Sequence, residues 1–214
     1  PKVGDSALTR FGLGTKDIES TQGRLTLHGF HPLSIEERKL LFPLAKKERR
    51  EIACKVFKLK EGDVFEGEVE FIDVSSSTIS SSKSAHNNAL SHFHAIILHT
   101  NKPEETIARY CWLTDQSSPR RIFGSSWQIG LNQQKIIVCS EEDVERIVPS
   151  VDVSNLPSIL GYALLTESLS KTKDCFSHNE LVTQSLNQGS FLVKLPEFIN
   201  GNLIIGTSAA DFPW

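Results

Sequence analysis

Alternation of apolar and polar positions is the strongest pattern in this chain, and it predicts a protein built mainly from β-strands. Residues 63–74 carry Phe65, Val69 and Phe71 on one side and Glu66, Glu68 and Glu70 on the other, which predicts a strand with one solvated face. Residues 91–100 and 106–114 predict two more strands around a turn at Asn101–Glu104, the second closed by Asp115. Residues 127–131 and 135–139 predict a pair across Asn132–Gln134. The chain ends on a predicted hairpin, 190–199 and 202–207, joined by Asn200–Gly201, a dipeptide that tolerates the positive φ angles of a tight turn. Short strands are also expected at 24–28 and from about Ile52, and 156–168 is open between helix and buried strand.

Helices are expected only as short insertions. Ser34 with Glu37, Ser140 with Asp143 and Ser177 with Glu180 each have capping-box spacing. They predict helices after residue 34 (broken at Pro43), after 140 (stopped by Pro149) and from 177 to about 187. The serine-rich stretch 75–91 reads as a loop, and residues 1–22 as a loosely held arm before a single globular domain at 23–214. The expected class is α+β and β-rich. A mainly antiparallel sheet or sandwich, with a jelly roll as one form, would carry the short helices at its periphery.

Composition narrows the setting. Hydrophobic residues make up 39% and charged residues 23% of 214 residues, the balance of a folded globular chain. No apolar run approaches the ~20 residues needed to span a bilayer, and no secretory leader pattern opens the sequence, so a cytoplasmic location is expected. Cys54, Cys111, Cys139 and Cys175 are far apart in apolar segments, which predicts reduced thiols rather than a zinc site or disulfide framework.

Net charge is −3, yet nine basic residues fall between Arg38 and Lys60 against Glu48 and Glu51 alone. Such a cluster can neutralise phosphates by counterion release, and Lys46, Lys47, Arg49, Arg50, Lys55 and Lys58 are the expected nucleic-acid contacts. Arg109, Arg120 and Arg121 extend the patch, with Trp112 or Trp127 as stacking surfaces. The competing expectation is a solvated segment whose charge is offset by Glu66–Glu70. No catalytic residue, metal ligand or cofactor is assigned. His92 and His94 share a strand face and Asp115 closes a later strand, so an alternative hydrolase-type site gathers these three. A further alternative is an effector or inhibitor that acts through protein–protein contact.

From His92 through Ser168 the order runs strand, turn, strand ending in Asp115, loop with Gly124, strand, short helix, apolar segment. In this stretch, about a third of the chain, the sequence resembles plant-virus cell-to-cell movement proteins, with Asp115 and Gly124 at the family's aspartate and glycine. The resemblance implies a jelly-roll-like viral protein that binds RNA without sequence preference and associates with itself; the expected partners are single-stranded RNA and either a second copy of the chain or a host protein. The leading expectation is therefore a non-enzymatic intracellular binding or assembly protein.

Overall fold

A computed structural model of the chain describes residues 8–43, 49–74, 88–149, 158–196, 199 and 201–214. The α+β, β-rich class holds, and the strands follow one rule three times over. The first five elements are β1 (Arg10–Thr15), α1 (Ile18–Leu27), β2 (Glu36–Pro43), β3 (Arg49–Lys58) and β4 (Glu68–Val74). Their sheet order is β1-β4-β3-β2, with β1 parallel to β4 and the other pairs antiparallel. The same βαβββ order recurs in β5 (Leu90–Thr100), α2 (Pro103–Thr114), β6 (Arg120–Phe123), β7 (Ser126–Leu131) and β8 (Gln134–Ser140). It recurs again, after α3 (Val144–Ile147), in β9 (Ser158–Thr166), α4 (Leu169–His178), β10 (Val182–Ser185), β11 (Ser190–Lys194) and β12 (Asn202–Gly206). Antiparallel pairing of the two first strands, β5 and β9, joins the second and third modules into one eight-stranded sheet, β10-β11-β12-β9-β5-β8-β7-β6. Repeated βαβββ units with parallel first and fourth strands replace the Greek-key order of a jelly roll.

The chain divides into two compact units, Arg10–Ser84, and Pro1–Thr9 with Ala85–Trp214. Residues 10–22, expected in a loose arm, contribute β1 and most of the first turns of α1. Asp17 caps that helix by accepting from the Ser20 amide at 2.9 Å. Ile18 and Leu25, seven residues apart on one helix face, are buried, so 24–28 is helix rather than strand.

Two other expectations are exchanged. The expected strand 106–114 is helix α2, opened by Pro103 and acidic Glu104 and Glu105 and buried through Thr106, Ile107, Tyr110 and Leu113. The expected helix after Ser34 is strand β2, laddered to β3 from Glu36↔Val56 to Pro43↔Arg49. Pro43 is tolerated because β2 lies at the sheet edge. Ser177–Glu180 ends a helix instead of starting one, since α4 is capped by Ser168 and stops at Asn179. The terminal β11–β12 hairpin is present, with Lys194 opposite Asn202; Asn200 and most of the serine-rich stretch lie outside the described residues.

Each face of the eight-stranded sheet is buried by a different layer. Phe191, Val193 and Ile205 meet Leu169 and Phe176 of α4. The alternate positions Leu192 and Ile204 face the other way, as period-two geometry requires. With Ala95, Ile97, Ile137 and Cys139 they pack against α3 and Phe212. All four cysteines are free, Cys54 and Cys139 buried and Cys111 and Cys175 half-buried. Among the described residues no helix is long and apolar enough to cross a membrane.

Candidate functional site

The sheet face opposite α4 is where buried polar chemistry collects. Strand β5 pairs with β9 at Phe93↔Leu164 and Ala95↔Ala163, so His94 is an extra residue with no strand partner. A β-bulge of this kind re-aims its side chain. The His94 ring stacks on Phe212 (centroids 4.7 Å apart, planes 11° apart), and Phe212 stacks on Trp214 at 5.2 Å. Phe212 belongs to the apolar cluster of this face, which places His94 there too. Only 4% of His94 is exposed, and its Nε2 has no hydrogen-bond partner among the described residues; nor has Trp214 Nε1. Burial, with the Lys135 charge adding to it, holds the His94 pKa below its ordinary value. Both effects favour the neutral form of the imidazole.

Lys135 reaches the same face. It lies beside Ala95 on one side and Gly130 on the other, two residues before Ile137. Gln128 is opposite Ile137, and Arg120 opposite Gln128, so all share this surface. With its amide turned so that the oxygen faces Arg120, Gln128 accepts from Nε at 3.0 Å and Nη2 at 3.2 Å. Burial lowers the Lys135 pKa, and the charge of Arg120 lowers it further. The result is a strip of cations along one half of a face whose other half, Leu192 and Ile204, is apolar.

Deeper on the same strand His99 is fully buried, and neither ring nitrogen has a partner among the described residues. Burial lowers its pKa, opposed by Glu141. Cys139, its neighbour on β8, has its thiol pushed up to about 12 by burial. Such a thiol is inert as a nucleophile. At the sheet margin, the Asp143 carboxylate accepts from Ser125 N at 3.0 Å and from the hydroxyls of Ser126 and Ser140 at 2.8 Å each. Burial pushes this carboxyl up, but these bonds outweigh it and hold the pKa below the usual range. Three donors converge on Asp143 Oδ2, so the knot fastens β7 to β8.

The hydrolase-type trio does not assemble. His92 is exposed, and Asp115 is the exposed left-handed C-cap of α2 (φ 55°). Of the three, His94 alone is buried. The expected nucleic-acid contacts are placed differently again. Lys46 and Lys47 lie outside the described residues, and Arg49 and Arg50 are on β3 with side chains outside them. Lys55 pairs with Glu19 at 2.5 Å, and Lys58 with Glu68 at 3.1 Å and Glu70 at 3.4 Å. Arg38 pairs with Glu36 and Glu70, and Lys39 with Glu51. Carboxylates of α1, β2, β3 and β4 offset these cations.

No family model matches the sequence, and no curated protein matches it. Solved structures do match. A hypothetical protein from Staphylococcus aureus aligns over 92% of this chain and 64% of its own, with a TM-score of 0.56 at 9% identity. The likeness is one of fold. A Mn(II)-bound glyoxalase from Novosphingobium aromaticivorans aligns over 92% of this chain and 61% of its own (TM-score 0.53, 9% identity). A xylose isomerase-like TIM barrel/4-hydroxyphenylpyruvate dioxygenase fusion protein aligns over 93% of this chain and 38% of its own (TM-score 0.50, 12% identity). The chain spans about three fifths of the length of the first two.

These neighbours overturn the resemblance to viral movement proteins, and with it the non-enzymatic, RNA-binding expectation. The physical reason is plain at Asp115, which was expected to close a strand and instead caps a helix. A metal of the kind held by the glyoxalase does not fit the residues described here. No three His, Cys, Asp or Glu side chains converge among them. The face positions around His94 are apolar (Ala95, Ile97, Ile137) or cationic (Lys135), and a cation beside His94 opposes a second one.

Proposed function

We propose that the face opposite α4 is the site of an enzyme that moves a proton on a small organic substrate, with His94 as the base. The observation that carries this reading is the bulged, buried His94, whose Nε2 has no partner. A buried polar atom left unpaired costs roughly 1–3 kcal/mol, and such costs persist where function uses them. In its neutral form the imidazole accepts a proton without first losing one. Stacking on Phe212 fixes the ring plane, so the nitrogen is aimed before substrate arrives. Trp214 Nε1–H, on the far side of Phe212, is a donor for a substrate oxygen. The fold shared with a glyoxalase and a dioxygenase fusion supports a site on this kind of sheet.

The test is hydrogen–deuterium exchange at carbon. A panel of small carbonyl compounds is incubated with the protein in D2O, and loss of C–H signals is followed by NMR. Exchange of at least one compound is expected, with a pH midpoint below the ordinary histidine value of about 6.5. His94→Gln should slow it by about 10²–10³-fold, the usual worth of a positioned base. Exchange that His94→Gln leaves unchanged would sink the proposal, as would no exchange anywhere in the panel.

A further inference from the structure

Each βαβββ module begins with a strand, and in the two later modules that strand is central to its sheet because β5 and β9 pair antiparallel with one another. β1, the first strand of the remaining module, is instead the outer strand of the four-stranded sheet, laddered to β4. We infer that the β1 edge is an interface for a second copy of this chain, the two β1 strands pairing antiparallel about a two-fold axis at Gly12. The inference concerns a different part of the molecule from the His94 face and does not depend on it.

The finish of the sheet edges supplies the first support. Among the described residues the two sheets end in β1, β2, β6 and β10. An outer strand invites pairing with another chain unless charge, proline or brevity blunts it. β2 carries Glu36, Glu37, Arg38, Lys39 and Pro43. β6 has four residues, two of them Arg120 and Arg121, and β10 also has four. β1 has six residues, and its one charge, Arg10, is drawn to Glu68 of β4 at 2.7 Å. From Phe11 to Thr15 it holds neither charge nor proline. None of its residues is buried, and Arg10, Gly12 and Gly14 are exposed.

Burial along the apolar face supplies the second. Phe11 lies beside Val69 and Leu13 beside Phe71, and Phe71 stacks on Phe57 of β3 with centroids 4.9 Å apart. Val69, Phe71 and Phe57 are buried, whereas Phe11 and Leu13 are half-buried. The apolar layer of this sheet therefore runs out at β1 half-covered, and another strand on that edge would continue it.

The sequence of β1 is suited to its own copy. A two-fold axis perpendicular to the sheet makes the strands antiparallel and keeps each face on its own side. Centred on Gly12, it sets Phe11 opposite Leu13 of the second copy on the apolar face, twice over. On the other face it sets Arg10 opposite Gly14, so no like charges meet. Six residues span roughly 20 Å, which places the contact at the small end of specific interfaces. A weak dimer, half-formed on the order of 10–100 μM, is expected.

The test is sedimentation equilibrium of the chain from about 1 to 500 μM, with amide hydrogen exchange at both ends of that range. Added side chains at Gly14 are tolerated in the single copy, since a Cβ there meets nothing within 4 Å. Gly14→Lys faces Arg10 with a like charge at two symmetric places, and should raise the dimer Kd about three- to thirtyfold. Gly14→Glu, which faces the same arginine with opposite charge, should bind more tightly than Gly14→Lys. Val182→Lys, at an exposed position of the outer strand β10, should leave the Kd unchanged. The amides of residues 12–15 should exchange more slowly at high concentration. A chain that stays monomeric throughout overturns the inference. So does a dimer that Gly14→Lys leaves unchanged, that Gly14→Glu or Val182→Lys weakens as much as Gly14→Lys, or that gives the β1 amides no added protection.

Discussion

Replacing His99 with leucine should make the larger unit more stable, not less. The side chain is 0% exposed, and both ring nitrogens are without a partner among the described residues. A neutral imidazole carries one donor and one acceptor, and each buried unpaired group costs roughly 1–3 kcal/mol. Leucine removes both at similar volume, against a packing loss below about 1.5 kcal/mol for a shape change of this size. The balance is a gain of about 0.5–6 kcal/mol. For a unit of this size, each kcal/mol is a rise of roughly 2–4 °C in melting temperature. Urea titration and thermal melts of both proteins measure it.

The pH dependence gives an independent sign. Burial holds the pKa of His99 and of His94 below the ordinary value, so the folded state favours the neutral rings. Above about pH 6.5 the unfolded chain is neutral too, and the full stability is present. As pH falls toward the folded values the unfolded chain takes up protons first, and stability is lost. His99→Leu should therefore flatten the acid limb between pH 6.5 and 5. A variant less stable than wild type by 1 kcal/mol or more, with an unchanged acid limb, would refute the reasoning, because the nitrogens would then be well bonded in the fold.

Gly124→Ala should destabilise by about 2–4 kcal/mol in urea titration, because Gly124 sits at φ +47° and an added Cβ would lie 2.3 Å from Asp143 Oδ1. Little change would mean that the Ser125–Ser126–Ser140–Asp143 knot yields easily. Cys139 should resist thiol reagents at pH 8 in the native protein while the half-buried Cys111 and Cys175 react, since its thiol is fully buried with a pKa of about 12. Mass spectrometry of the labelled peptides decides this, and native labelling of Cys139 on the timescale of Cys111 would contradict it.

Much of the sheet was legible because its central strands carry their burial in the sequence. β5, β8 and β12 contain the runs Ala95–Leu98, Ile136–Cys139 and Leu203–Ile205, which only a two-sided burial explains. α2 was misread because Ile107, Tyr110 and Trp112 are residues that favour strands, although Pro103, Glu104 and Glu105 form a helix start. β2 was misread because Ser34 and Glu37 stand at capping distance by coincidence, and pairing with β3 overrides local preference. Strands β6 and β10 are short, mostly exposed and at the sheet ends, so they leave almost no pattern. The threefold βαβββ repeat left no trace, because the repeat lies in the order of strand pairing while each module uses its own residues. Of the candidate site, His94 was visible as a residue. Its bulge, its stack with Phe212 and Trp214, and its neighbour Lys135 depend on contacts between distant segments.

The basic segment 38–60 shows why a count of charges along the sequence does not measure a free cationic surface. Net local charge measures how many cations a stretch holds, and binding depends on how many stay uncompensated once the chain is folded. β2 and β3 bring Arg38, Lys39, Lys55 and Lys58 against Glu36, Glu51, Glu19, Glu68 and Glu70. Surface pairs of this kind contribute little stability, but they leave little field for a ligand. The second module holds fewer cations, yet Arg120 and Lys135 face the same way with only an amide between them. One βαβββ plan thus carries two electrostatic outcomes. Where carboxylates stand against Arg38, Lys39, Lys55 and Lys58, those cations are paired. Where glutamine, alanine and glycine take those places, Arg120 and Lys135 have no carboxylate opposite them, and the bulge in β5 sets His94 on the same face.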